Sequence, residues 1–216
     1  MVSSKHAFWQ ALLVTIALFL IGLFLGMAIE GSRLNTIEDF YAESEISLMD
    51  ILALNELITT GNYSCQDMIH SNLLFADRIY EEAIILEDFE NAGQLTDDFK
   101  LAHKRYDLLR TFLLINSEKT RELCKGNFNV VVYFYEQETE DLAQRATQNV
   151  WSKVLFDLKQ KKGADVILIP IAANGGLHSV DSVVSQYDIK RFPVIIINGQ
   201  VIDELKSVEE LEDYLI

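Results

Sequence analysis

The sequence predicts an α/β chain in three parts: an N-terminal transmembrane helix, an α-helical hairpin or bundle, and a C-terminal βαβαββα domain. Three observations carry this. The run from Ala11 to Ile29 holds nineteen residues with Thr15 as its only polar side chain. From Leu34 to Gly126 there is no proline, and apolar residues recur at helical spacing. Beyond Gly126, short β-branched runs alternate with helical segments. The corresponding segments are 1–31, 32–126 and 127–216.

At 1.5 Å per residue the apolar run makes roughly 28 Å of helix, which matches the hydrocarbon thickness of a bilayer. With the adjoining "AFWQ" the span covers about 7–29, and Trp9 stands where an interfacial anchor sits. A cleaved signal peptide is the alternative reading, but its apolar region would be only about 7–15 residues. Lys5 precedes the span and Arg33 follows it beside Glu30, a thin positive-inside bias that puts the N-terminus in the cytoplasm and the rest outside. Gly22 and Gly26 form a GxxxG, a spacing at which two membrane helices approach closely, so a homodimer through this face is one expectation. Glycine frequency in membrane spans is the other account of it.

Net charge is −15, and the acid excess continues beyond the anchor. Residues 32–126 carry nine Lys/Arg against eighteen Asp/Glu, and 127–216 carry eight against fourteen. Such a surface excludes nucleic acid as a partner class and offers no polybasic contact to an anionic leaflet. Membrane lipid is met through the N-terminal helix alone.

In the middle segment Leu34, Ile37, Tyr41, Leu48, Ile51, Leu52 and Ile58 form a first stripe that "TTGN" ends. Ser64 opens a second helix, with Asp67 spaced for a capping box. Its apolar face is Met68, Ile69, Leu73, Ile79, Tyr80, Ala83, Leu86 and Phe89. "ENAGQLT" breaks it, and Thr96 can cap a third helix carrying Phe99, Ala102, Tyr106, Leu109, Leu113 and Leu123. Cys65 begins the second helix and Cys124 ends the third. In an antiparallel hairpin both lie at one end, where a disulfide closes a loop of about 60 residues and stabilises by roughly 4 kcal/mol in an oxidising compartment. Two separate thiols are the other reading. Asn62-Tyr63-Ser64 is a glycosylation sequon that matters only outside the cell.

"VVVYFYE" (Val130 to Glu136) is an apolar strand, followed by a helix from about Asp141 to Lys162 with Val150, Trp151, Val154, Leu155 and Leu158 inward. Gly163 ends that helix. Pro170 in "DVILIPIA" marks an edge strand. Ser179 to Tyr187 is helical. Asn198-Gly199, between Val194–Ile197 and a short final strand, is a two-residue hairpin turn. Ser207 with Glu210 forms a capping box for the last helix. A right-handed βαβ unit plus a terminal hairpin gives a four-stranded mixed sheet with helices on both faces.

The stretch "SVVSQYDIKRFPVIIINGQVID" resembles the second half of a thioredoxin-fold domain, and "VVYFYE" its first strand. The likeness covers about 127–216 and is greatest to membrane-anchored thioredoxin-like proteins whose anchor and domain are separated by a helical stretch. It implies that Pro193, after Phe192, is the family's cis-proline. In that family this proline faces a Cys-x-x-Cys dithiol and helps present a backbone edge to an extended peptide. Here Thr139 and Leu142 occupy the dithiol spacing, and no cysteine lies between Lys125 and the C-terminus. Disulfide exchange needs a thiolate and a resolving thiol. The family's redox activity is therefore not carried over, and Glu138, Glu140 and Asp141 read as helix capping and solubility.

The expectation is a single-pass, extracytoplasmic, redox-inactive module with no catalytic residue. An extended peptide or protein partner would lie in a groove of Phe192, Pro193, Tyr135, Thr139 and Leu142. Two alternatives remain at this point. One is an oxidoreductase using Cys65 and Cys124. The other is a dimeric membrane scaffold. The histidines His6, His70, His103 and His178 share no metal-ligand spacing, "ANGGL" (173–177) lacks a phosphate-loop lysine, and neither a metal nor another cofactor is expected.

Overall fold

In the computed structural model, residues 4–59, 64–91, 97–125, 128–137 and 139–216 are described. The chain divides into two units, one up to Tyr41 and one from Ala42 to Ile216. Helix α1 spans Ser4–Thr59. In the first unit, Phe8–Ile29 is a helical stretch long and apolar enough to cross a membrane.

The second unit contains the end of α1, then α2 (Cys65–Asn91), α3 (Asp97–Leu123), β1 (Asn129–Tyr135), α4 (Leu142–Lys162), β2 (Val166–Ala172), α5 (His178–Gln186), β3 (Val194–Ile197), β4 (Gln200–Ile202) and α6 (Val208–Glu212). The four strands form one mixed sheet in the order β2-β1-β3-β4. β1 and β2 run parallel, pairing Asn129 with Val166 through Tyr135 with Ala172. β3 is antiparallel to both β1 and β4.

Both faces of the sheet are covered, which is why its central strands read as unbroken apolar runs. Val131, Tyr133, Ile195 and Ile197 pack on one face against Trp151, Leu155 and Leu158 of α4 and Leu211 of α6. The alternate residues Val130, Val132, Phe134, Val194 and Ile196 are equally buried on the other face. α3 packs on β1 and β2 and touches α5. Each such fully buried branched side chain contributes about 2 kcal/mol. The helices and the sheet thus share a core, and α3 is part of the domain's packing rather than a stalk beside it.

Local signals in the sequence are matched at several joints. β2 lies at the sheet edge with Pro170 in it. Asn198 (φ 51°) and Gly199 (φ 86°) both take the positive φ that the two-residue turn needs. Both halves of the Ser207–Glu210 capping box form. Asp141 caps α4, accepting from the Ala143 and Gln144 N–H groups, and Gly163 follows the helix at φ 56°. At α2 the outcome differs: the Ser64 hydroxyl accepts from the Gln66 N–H, and the Asp67 N–H, expected to reach that hydroxyl in a capping box, donates to the Ser64 carbonyl at 3.1 Å.

Three expected core positions are corrected. Val150, Tyr80 and Leu123 are exposed. Each lies one residue, or about 100° of helix, beside a better-placed neighbour: Trp151, Ile79 and Cys124 take the inward positions. Thr96, the 92–96 break, Asn62 of the sequon and Glu138 lie outside the described residues. So do the side chains of Leu34, Ile37, Tyr41, Ile58, Ala83, Leu86, Phe89 and Phe99.

Candidate functional site

The loop from β1 into α4 is the place where the sequence predicts a thiol-free groove, and its backbone is held by side-chain amides from two other elements. Gln148, buried on α4, accepts the Glu136 N–H at 2.9 Å and donates to the Glu136 carbonyl at 3.0 Å. Asn174, after β2, does the same for Gln137, at 2.9 and 2.7 Å. The Thr139 hydroxyl donates to Gln144 Oε1 at 2.9 Å, and Gln144 Nε2 donates to Glu136 at 2.8 Å. Arg145 donates to the Thr139 carbonyl at 2.7 Å. Thr139 is therefore tied into the loop, while Leu142, in the first turn of α4, is 76 % exposed.

Phe192 and Pro193 are half-buried, and the peptide bond between them is cis. The antiparallel register ends at Phe134 with Val194, so one further step sets Pro193 across from Tyr135. Tyr135 stacks on Tyr133 with ring centroids 5.5 Å apart. The fold thus gathers Phe192, Pro193 and Tyr135 at the C-terminal end of β1, with Thr139 and Leu142 on the loop that leaves the same strand.

Cys65 and Cys124 form a disulfide, with Cα atoms 5.5 Å apart, and neither cysteine is free. Cys124 is buried with its Sγ 4.0 Å from Met68 Sδ, and Asn72 of α2 donates to Thr120 of α3 nearby. This bridge stands far from Tyr135 and Pro193. Asp107 of α3 accepts the Ala172 N–H at 3.2 Å, and Ala172 is the register partner of Tyr135. Cys124 is seventeen residues further along the chain. That separation is about 25 Å of helix.

Asp107 and Arg110 are the site residues that the sequence reading passed over. Both are buried, 3.4 Å apart. Burial raises the Asp107 pKa, against the opposing pull of Arg110, the Ala172 N–H and His103. The Arg110 guanidinium lies 4.1 Å from the centre of the Tyr106 ring. Burial works against its charge, but Tyr106, Tyr135 and Asp107 outweigh that, and its pKa is raised. Burial likewise pushes Tyr133 up to about 12. The signal was present: Asp107 and Arg110 lie at i and i+3, beside the Tyr106–Leu109–Leu113 stripe.

Arg110 also lines a cavity of about 510 Å³ bounded by α2, α3, α4 and the β2 edge. In the N-terminal unit, a side chain at Gly22 or Gly26 would meet nothing within 4 Å. Among the described residues, no group of His, Cys, Asp or Glu is arranged to hold a metal ion. No protein-family model, no curated protein and no solved structure matches this chain.

Proposed function

We propose that the chain is a single-pass membrane protein, cytoplasmic at its N-terminus, whose residues 127–216 are an extracytoplasmic thioredoxin-like module that binds an extended peptide and does not exchange disulfides. Support for the fold reading comes from the strand order β2-β1-β3-β4, with β1 and β2 parallel and Pro193 just before β3. One observation carries the functional reading. The β1–α4 loop, where the family keeps its dithiol, has Thr139 bound to Gln144, its backbone clamped by Gln148 and Asn174, and a bare apolar side chain at Leu142. Such a loop suits recognition: a fixed backbone costs little ordering on binding, and Leu142 and Phe192 offer apolar contacts to side chains of a strand.

The test takes the full chain in lipid nanodiscs, selects peptides from a random display library, and measures their affinity by fluorescence polarisation. Phe192→Ala and Leu142→Asp are each expected to weaken the selected peptides at least tenfold, about 1.4 kcal/mol. Reduction of Cys65–Cys124 should leave affinity unchanged. Peptides whose affinity neither substitution alters, or catalysed reduction of a disulfide substrate by the chain, would overturn the proposal.

A further inference from the structure

The cavity beside Arg110 shares Tyr135 with the peptide groove, but Phe192, Pro193, Thr139 and Leu142 do not line it. Its walls are apolar and aromatic, formed by Ile79, Leu113, Leu155 and Phe156 with the rings of Tyr106 and Tyr133. Its volume, about 510 Å³, falls in the range of pockets that enclose small organic ligands.

Two features set the charge of its occupant. The chain carries 33 acidic residues against 18 lysines and arginines, yet among the described residues the lining includes Arg110 and Lys153 and no carboxylate. Arg110 is 7 % exposed, and its Nε has no hydrogen-bond partner. Its contact to the Asp107 carboxylate, through Nη1, is long for a charge-assisted bond at 3.4 Å. Asp107 also accepts the Ala172 N–H through the same oxygen. A buried guanidinium has five donors in a planar fork that matches a carboxylate. Tyr135 also hydrogen-bonds the guanidinium, so the donor left without a partner at this cavity is Nε. Lys153, exposed on α4, stands at the rim.

We infer that this cavity binds a small amphipathic carboxylate, with the anionic head on Arg110 and Lys153 and the apolar body among the aromatic and aliphatic walls. Burial of such a body supplies the affinity, and the Arg110 charge with its unpartnered Nε–H supplies the preference for an anion over a neutral analogue of equal size. The head can come from a membrane-derived fatty acid or from a soluble aromatic acid, since the recognition chemistry is common to both.

The experiment titrates the full chain in nanodiscs with octanoate, 2-naphthoate and octanamide by calorimetry, subtracting empty nanodiscs. At least one carboxylate is expected to saturate one site below about 1 mM. Octanoate strongest would indicate the lipid source, and 2-naphthoate strongest the aromatic one. Octanamide should bind at least tenfold more weakly than octanoate. Ala76→Trp, which fills the cavity from α2, should abolish binding, and Arg110→Met should erase the preference for octanoate over octanamide. If Arg110→Met does not fold, Lys153→Glu serves instead and should weaken octanoate severalfold with octanamide unchanged. Failure of both carboxylates to saturate, equal binding of octanoate and octanamide, or binding that survives Ala76→Trp would each overturn the inference. The peptide assay on Phe192→Ala reads the groove independently, so either reading can fail alone.

Discussion

Asn174 grips the backbone of Gln137 with both ends of its amide, accepting the N–H at 2.9 Å and donating to the carbonyl at 2.7 Å. The loop that follows β2 thereby fixes the loop that follows β1, across 37 residues of sequence. Asn174→Ala removes both bonds at an exposed position, so the loss of stability should be about 1 kcal/mol. Local opening should change more visibly: amide exchange at Gln137 is expected to quicken roughly fivefold to tenfold, while the β1 amides keep their protection. Unchanged exchange at Gln137 would mean that Gln148 alone holds the loop.

The Cys65–Cys124 disulfide contributes to stability through the loop that it closes. It joins residues 59 apart, and the chain-entropy model gives about 4 kcal/mol for a loop of that length. Replacing both Cys65 and Cys124 by alanine should lower the unfolding free energy by an amount of that order, read from denaturant midpoints. A loss below about 1 kcal/mol would show that residual structure between these two segments already restricts the unfolded chain.

Asp107 makes stability depend on pH in the direction opposite to a salt-bridged surface carboxylate. Burial holds its folded pKa above the unfolded value of about 3.9. The folded state therefore keeps the proton to higher pH, so this group's contribution falls as pH rises through the window between the two values. Above that window the penalty is complete. Arg110 and His103 on α3 and the Ala172 N–H face the carboxyl and narrow the window without reversing it. Asp107→Asn copies the protonated form. Its stability relative to the parent should climb with pH from about 4 and then level off. Loss of the Arg110 pairing adds a constant offset, and the slope isolates Asp107. A relative stability that declines with rising pH would refute the sign.

Gly22 and Gly26 lie four residues apart on one face of the apolar helical stretch Phe8–Ile29, with open space around both. If that face seats a second copy, crosslinking in bilayers should capture a dimer, and Gly22→Ile with Gly26→Ile should abolish it. A monomer in both cases removes the scaffold reading.

What the sequence made legible was local. Asn198-Gly199, Asp141, Ser207 with Glu210, and Gly163 act within four residues of their own position, so residue type and spacing sufficed. Pro170 marked the edge strand for the same reason, since its missing N–H is a property of one residue. The clamps were not legible. Gln148 and Asn174 are unremarkable amides until α4 and the loop after β2 are placed against the end of β1. Asp107 and Arg110 were passed over because nothing in their spacing says that α3 lies on the sheet. The exposed Val150 shows the same limit: the buried Gln148 holds α4 to the loop, and the apolar stripe turns accordingly.

Asn198 carries the last prediction, because its side chain does more than permit the turn. Its Oδ1 accepts the Val130 N–H at 3.1 Å, and its Nδ2 donates to Asn129 Oδ1 at 2.8 Å and to the Tyr214 carbonyl at 3.2 Å. One residue thus joins the hairpin, the start of β1 and the C-terminal segment. Asn198→Ala loses all three bonds and places a Cβ-bearing residue without local compensation at φ 51°. The left-handed backbone costs about 1 kcal/mol, and each lost bond about 0.5–1.5 kcal/mol, so destabilisation of roughly 3 kcal/mol is expected. Asn198→Gly loses the same bonds but tolerates the backbone, and should recover about 1 kcal/mol of that. Asn198→Asp keeps the acceptor to Val130 and forfeits both donors, which places it between the parent and glycine. Denaturant midpoints of the three variants separate the two causes. Equal values for alanine and glycine would assign the whole effect to the side-chain bonds, and a near-parental glycine variant would assign it to the backbone.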